Sequence, residues 1–187
     1  MQIALVLLAA GSSVRFGGNK LLHIIEGKPM YRHVTDEIAG IEGDLFYKKV
    51  LVTQYRELAD DCAFGDYQVI RNHNSRAGIS YSIRLAVESL AADPCVSGIC
   101  FAVCDQPYLK GKTLYDFITD FKLSNKGMGC LGAGDMLGNP AVFKREYFPE
   151  LLSLTGDTGG KRVINRHPED VFVFPAGEEE LEDIDQI

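Results

Sequence analysis

The sequence has no apolar run approaching the roughly 20 residues that cross a bilayer, and the short apolar stretch at residues 1–10 has no basic flank before it. A membrane span is therefore excluded, and the stretch is not expected to be a secretory signal. A basic stripe is also missing. Lys+Arg total 19 against 26 Asp+Glu, a net charge of -7, and the acidic excess gathers in Glu178-Glu179-Glu180-Leu181-Glu182-Asp183. This sets aside a general nucleic-acid binder, although a few local cations still suffice for an anionic small ligand. There is no Cys-x-x-Cys pair, and five cysteines spread from Cys62 to Cys130 make no disulfide framework. The expected address is a reducing compartment, most simply the cytoplasm.

What is present is enough for an ordinary globular fold. A chain of 187 residues, 46% hydrophobic and 24% charged, can bury roughly 70% of its unfolded surface without staples. No low-complexity linker or internal repeat divides it, so residues 1–187 are read as a single domain.

Residues 2–9 are almost continuously apolar and stop at Ala10-Gly11-Ser12-Ser13, the pattern of a parallel strand buried on both faces. Similar runs recur at 49–53, 67–70, 99–104 and 171–174. Between them lie helical stripes. Pro29 is placed at a first helical position, followed by Met30, Val34 and Ile38 and a stop at Gly40. Ile79, Ile83, Ala86, Val87 and Leu90 make a second stripe. Leu114, Phe117, Ile118 and Phe121 make a third, with Thr113 and Asp116 as a capping pair. The alternation predicts an α/β fold: an open, mostly parallel twisted sheet with helices on both faces, plus a small antiparallel excursion in the Gly-rich region 126–144. Ligands of such sheets sit at the carboxyl ends of the strands.

Four segments can carry chemistry there. Residues 8–20, Leu-Ala-Ala-Gly-Ser-Ser-Val-Arg-Phe-Gly-Gly-Asn-Lys, form a small-residue turn with two cations. Glycines let a ligand approach the backbone, and Arg15 and Lys20 can neutralise phosphate oxygens. Neither a Gly-Lys-Ser/Thr P-loop nor a G-x-G-x-x-G is present, and a flexible connection with solvated cations is the plain alternative. Asp105, in Ala102-Val103-Cys104-Asp105-Gln106-Pro107, ends an apolar strand, where a carboxylate can hold Mg2+ or merely cap a turn. Gly78-Ile79-Ser80-Tyr81-Ser82-Ile83-Arg84 opens a helix whose N–H and hydroxyl groups can read a nucleotide, or where Ser80 is only a cap. A hydrolase nucleophile elbow is not supported, because G-x-S-x-G is unmet. Gly156-Asp157-Thr158-Gly159-Gly160-Lys161-Arg162 is a second cationic loop. Cys100 and Cys104 share parity on a buried strand and suit core thiols, and the scattered histidines make a poor metal set.

Together these motifs resemble the MobA-like nucleotidyltransferases, most narrowly the molybdenum cofactor cytidylyltransferases. Leu8 to Lys20 match L-A-A-G-x-S-x-R-x-G-x-x-K, Asp105-Gln106-Pro107 matches D-Q-P, and Gly78, Ser82 and Arg84 meet G-x-x-x-S-L-R. Gly138-Asn139-Pro140 resembles G-x-P, and residues 156–161 resemble G-D-x-G-A-R with Gly and Lys substituted. The resemblance implies a Rossmann-like nucleotidyltransferase fold and Mg2+-dependent transfer of a nucleotidyl group from CTP to a molybdopterin phosphate, with release of pyrophosphate. It assigns catalysis to Arg15 and Lys20, and nucleotide binding to Ala10, Gly11, Ser13, Arg15, Lys20, Gly78 and Ser82. The metal goes to Asp105, with a second acidic contact from Asp185 or its neighbour Asp183. The family usually continues D-I-D with T-P-E-D, whereas Gln186-Ile187 stand here. The implied partners are the triphosphate, a molybdopterin-type acceptor and transiently a molybdoenzyme. The alternatives are a guanylyltransferase, another enzyme that loads a phosphorylated acceptor, or a non-catalytic nucleotide or cofactor carrier.

Overall fold

The first apolar run folds as β1 (Ile3–Ala9), with every residue buried. In the computed structural model, which describes residues 1–11 and 18–184, β1 lies between β4 (Lys48–Thr53) and β6 (Gly98–Val103). It is parallel to both, Val6 pairing with Val50 on one side and Phe101 on the other. Beyond them stand β5 (Gln68–Arg71), β7 (Met128–Ala133), β8 (Met136–Lys144) and β9 (Val171–Pro175), in the order β5-β4-β1-β6-β8-β7-β9. Only β8 runs antiparallel to its neighbours. It forms a hairpin with β7, the excursion expected from the Gly-rich sequence. A separate two-stranded ribbon, β2 (Ile24–Ile25) with β3 (Lys28–Pro29), follows the first loop.

Side chains of β1 alternate between two cores, as the pleat of a strand requires. Ile3, Leu5 and Leu7 pack under α1 (Met30–Ala39), the short α2 (Arg56–Ala59) and α4 (Gly111–Leu123). Ala4, Val6 and Leu8 pack under α3 (Ile79–Ala91), α5 (Phe148–Leu152) and α6 (Lys161–Ile164). Each fully buried leucine or isoleucine contributes about 1.5–3 kcal/mol. Two covered faces explain why the central strands lack polar alternation.

Three local expectations shift. Pro29 closes β3 and stands just before α1, which begins at Met30. Its fixed φ suits that place, but its extended ψ of 142° keeps it outside the helix. Thr113 lies within the first turn of α4 and caps nothing, because the helix starts at Gly111. Its hydroxyl donates instead to Glu180 Oε1 at 3.2 Å. Ile79 begins the second stripe at the surface, while Ile83, Ala86, Val87 and Leu90 are buried. Among the described residues no helix is long and apolar enough to cross a membrane.

The order of the strands fixes where a ligand can sit. From β1 the chain moves outward through β4 to β5, then crosses back to β6 on the other side of β1. Adjacent crossovers leaving in opposite directions open a crevice at the carboxyl ends of β1 and β6. Ala10-Gly11 leave one of these ends and Cys104-Asp105-Gln106 the other.

Candidate active site

At the end of β1 the backbone is held by the last residue of β4 and the two that follow it. Thr53 Oγ1 donates to Ala9 O at 2.9 Å. Gln54 Nε2 reaches Ala10 O at 3.0 Å and Gly11 O at 3.1 Å, and the Tyr55 hydroxyl donates to Gly11 O at 2.6 Å. Gln54 is fixed in turn by Ser75, whose hydroxyl donates to Gln54 Oε1 at 2.9 Å. Arg71 donates to the carbonyls of Gln54 and Tyr55, both at 3.1 Å. The start of the small-residue turn is therefore rigidly presented. Gln54, Tyr55, Arg71 and Ser75 belong to none of the sequence motifs; their place at or just beyond the ends of β4 and β5 is the signal that marks them.

Ala10 is buried and Gly11 is exposed. A β-carbon built on Gly11 meets nothing within 4 Å. Ser13 and Arg15 lie outside the described residues, as does Asp185. Lys20, at the far side of the same loop, reaches Asp105: Nζ lies 2.7 Å from Oδ2. The pair is largely shielded, with side chains 12% and 24% exposed. Two residues that the sequence separates by 85 positions are thus one ion pair at the crevice.

The segment before Asp185 is docked. Ile184 N donates to Asp105 O at 3.0 Å, and Lys20 Nζ donates to Ile184 O at 3.3 Å. Gln106 Nε2 donates to Leu181 O at 3.2 Å. Glu180 is buried and accepts from Lys110 N at 3.1 Å and from the Thr113 hydroxyl, which anchors the acidic turn to the start of α4. The acidic run is thus more than a solvated tail, since its one buried carboxylate is bonded to the residue before α4 and to a side chain of its first turn.

Gly78 and Ser82, at the start of α3, meet different partners. Gly78 has φ +86°, and a β-carbon there would lie 2.3 Å from Gly156 C. The third and fourth motifs therefore touch, and Ser80 N donates to Gly156 O at 3.2 Å. Ser82 is 4% exposed, and its hydroxyl accepts from Asn72 Nδ2 at 2.8 Å. It braces the loop after β5 and does not present its hydroxyl at the surface. Cys100 and Cys104 are buried in the core, and burial pushes both thiols far up from their ordinary value.

No group of three or more His, Cys, Asp or Glu side chains is arranged to hold a metal among the described residues. A hard cation shared with a nucleotide needs only one or two carboxylates, since phosphates and water complete its shell. Asp105 fits: its oxygen already faces a cation, the Lys20 ammonium.

The sequence matches the MobA-like NTP transferase domain over residues 5–171. The chain belongs to that family. It is 26% identical over 152 residues to the bifunctional protein GlmU of Desulfotalea psychrophila, covering 76% of this chain and 41% of that protein. The chain thus spans less than half the length of this curated relative. Among solved structures it is similar to Rv0371c of Mycobacterium tuberculosis H37Rv, with TM-score 0.76 and 26% identity over 94% of this chain and 88% of that one. Rv0371c has also been solved in complex with manganese. A nucleotidyl transferase from Methanothermobacter shares the fold, with TM-score 0.74 and 21% identity over 98% and 92% of the two chains. The mostly parallel sheet found here is the Rossmann-like nucleotidyltransferase architecture of this family.

Proposed function

We propose that residues 1–187 act as one nucleotidyltransferase domain that transfers a cytidylyl group from CTP to the phosphate of a molybdopterin-type acceptor. The observation that carries this reading is the Lys20–Asp105 pair at the β1/β6 crevice. It brings together a cation for a triphosphate and a carboxylate for its metal. In the reaction an acceptor phosphate oxygen attacks the α-phosphorus of the nucleotide. The bond from the α-phosphorus to the bridging oxygen breaks, and pyrophosphate leaves. No strong base is required, because a phosphate oxygen is already ionised, and positioning and charge stabilisation do most of the work.

Within this reading Asp105 holds a divalent cation, Mg2+ by preference, with Asp183 or Asp185 as the second acidic contact. The cation supplies charge neutralisation to the phosphates. Arg15 and Lys20 bind the triphosphate and balance the charge developing on pyrophosphate. Ser13 and the backbone of Ala10 and Gly11 lie against the nucleotide. Gly78 serves the nucleotide site by letting the Gly156 backbone pack against it, while Ser82 acts through Asn72, to which it is hydrogen bonded. The choice of CTP rests on the resemblance of Ala9-Ala10-Gly11 and residues 78–84 to cytidylyl enzymes. A small steric difference at the base is worth roughly 1–3 kcal/mol, so a preference of about 10- to 200-fold is expected.

Values of kcat/KM for CTP, GTP and ATP with molybdopterin test the reading. A CTP preference in that range supports it. Equal values or a GTP preference would remove the cytidylyl assignment, and tight CTP binding without turnover would favour a carrier that hands the cofactor to a molybdoenzyme.

A further inference from the structure

Glu180 is only 5% exposed, in a turn whose other acidic residues, Glu178, Glu179 and Glu182, face solvent. Among the described residues it makes no ion pair, and the Lys110 ammonium goes to Glu179 at 3.0 Å instead. Its carboxyl accepts from three uncharged donors: Lys110 N at 3.1 Å, the Thr113 hydroxyl at 3.2 Å and Gly177 N at 3.4 Å. Burying a carboxyl without a cation is costly, and an apolar side chain would fill the same place with less loss. What the carboxyl adds is direction. Its two oxygens fix the short turn Glu178–Leu181 against Lys110 and Thr113 in one orientation.

The chain then crosses the Asp105 turn within four residues. Leu181 O accepts from Gln106 Nε2 at 3.2 Å, and Ile184 N donates to Asp105 O at 3.0 Å. Lys20 Nζ lies 3.3 Å from Ile184 O and 2.7 Å from Asp105 Oδ2. Residues 181–184 thus run along the ion pair that carries the transferase reading, and Asp183 is set between two bonded backbone points. On its other side Leu181 packs against Gly138, where a β-carbon would lie 3.0 Å from Leu181 Cδ2. Each residue spans at most about 3.3–3.6 Å, so the few residues from Glu180 to Ile184 leave little slack to absorb a loosened anchor.

We infer that Glu180 is a positioning residue for the metal end of the site: by fixing the turn before Asp183 it holds residues 181–184 against Asp105 and Lys20. It acts through the segment that follows it. The inference rests on the transferase reading above and adds a residue that none of the sequence motifs contains.

Mn2+ serves as the probe, its affinity in the presence of CTP read by electron paramagnetic resonance without turnover. Glu180→Ala should weaken Mn2+ about 10- to 100-fold, the usual loss when a group supporting a metal ligand is removed, while cytidine binding stays within about twofold. In turnover the Mg2+ concentration for half-maximal rate should rise by the same factor, with kcat restored to within about threefold at saturating Mg2+. Glu179→Ala removes an exposed charge from the same turn and should leave Mn2+ affinity within about twofold. Thr113→Val withdraws one donor from the carboxyl, should weaken Mn2+ about 3- to 10-fold, and decides the matter if Glu180→Ala does not fold. A folded Glu180→Ala protein that loses thermal stability but binds Mn2+ as wild type does would overturn the inference, as would an equal loss in Glu179→Ala. If wild-type protein releases no pyrophosphate from CTP with molybdopterin while Mn2+ affinity responds as described, the positioning role stands and the transferase reading falls.

Discussion

The start of α3 and the loop carrying Asp157 are in backbone contact: a β-carbon on Gly78 would lie 2.3 Å from the carbonyl carbon and oxygen of Gly156. Gly78 also has φ +86°, a conformation that costs a side chain of the order of 1–3 kcal/mol. Gly78→Ala should therefore push the 156–157 loop away, lowering Tm by roughly 2–10 °C for a chain of this size and raising the KM for CTP. An unchanged Tm would show that the loop yields freely.

Gly11 makes the opposite case. A β-carbon there meets nothing within 4 Å, so Gly11→Ala should unfold within about 1 kcal/mol of wild type. Its effect should appear only with ligand, as a loss of CTP affinity of tenfold or more where backbone and nucleotide meet closely. Thermal unfolding and calorimetric CTP titration separate the two. Undiminished affinity would mean that the nucleotide lies elsewhere.

Lys20 is held by Asp105 and by Ile184 O, and it is read as a triphosphate ligand. Lys20→Ala should weaken CTP much more than cytidine, by the about 1.5–3 kcal/mol of a charge-assisted bond. Equal losses for both ligands would mean that Lys20 acts through the docked segment alone.

At the opposite end of the sheet, Tyr147 donates to Asp170 Oδ2 at 2.6 Å and Gly127 N to Oδ1 at 2.9 Å. The Tyr147 hydrogen bond holds the Asp170 carboxyl below its ordinary value. A depressed carboxyl contributes stability that is complete above its unfolded value of about 4 and is lost as pH falls through the lower folded value. Asp170→Asn should lower stability at pH 7 and flatten the acid limb below about pH 4. The same slope in both proteins would remove Asp170 from the acid response.

Much of this was legible because strong patterns coincide with strong constraints. The apolar run of β1 can only be covered on both faces, and Asp105 could be set at a ligand crevice from its position after an apolar strand. Gln54 and Tyr55 were not legible, since their role comes from hydrogen bonds to a turn more than 40 residues earlier. The burial of Glu180 was hidden for a related reason. A run of acidic residues reads as a solvated face, and only the packing of its turn against the start of α4 selects one carboxylate for burial. Thr113 was misread because the sequence suggests a local capping partner where the fold supplies a distant one.

The central claim is that Asp105 serves the chemistry of nucleotidyl transfer and not merely the turn in which it sits. Pyrophosphate release from CTP with Mg2+ and molybdopterin, compared between wild type and Asp105→Asn, tests it most directly. Asn keeps the size of the side chain and loses the charge that a cation needs. The account predicts a fall in kcat of roughly a hundredfold or more in a protein whose circular dichroism is that of wild type. A folded Asp105→Asn variant that releases pyrophosphate at near the wild-type rate would contradict it.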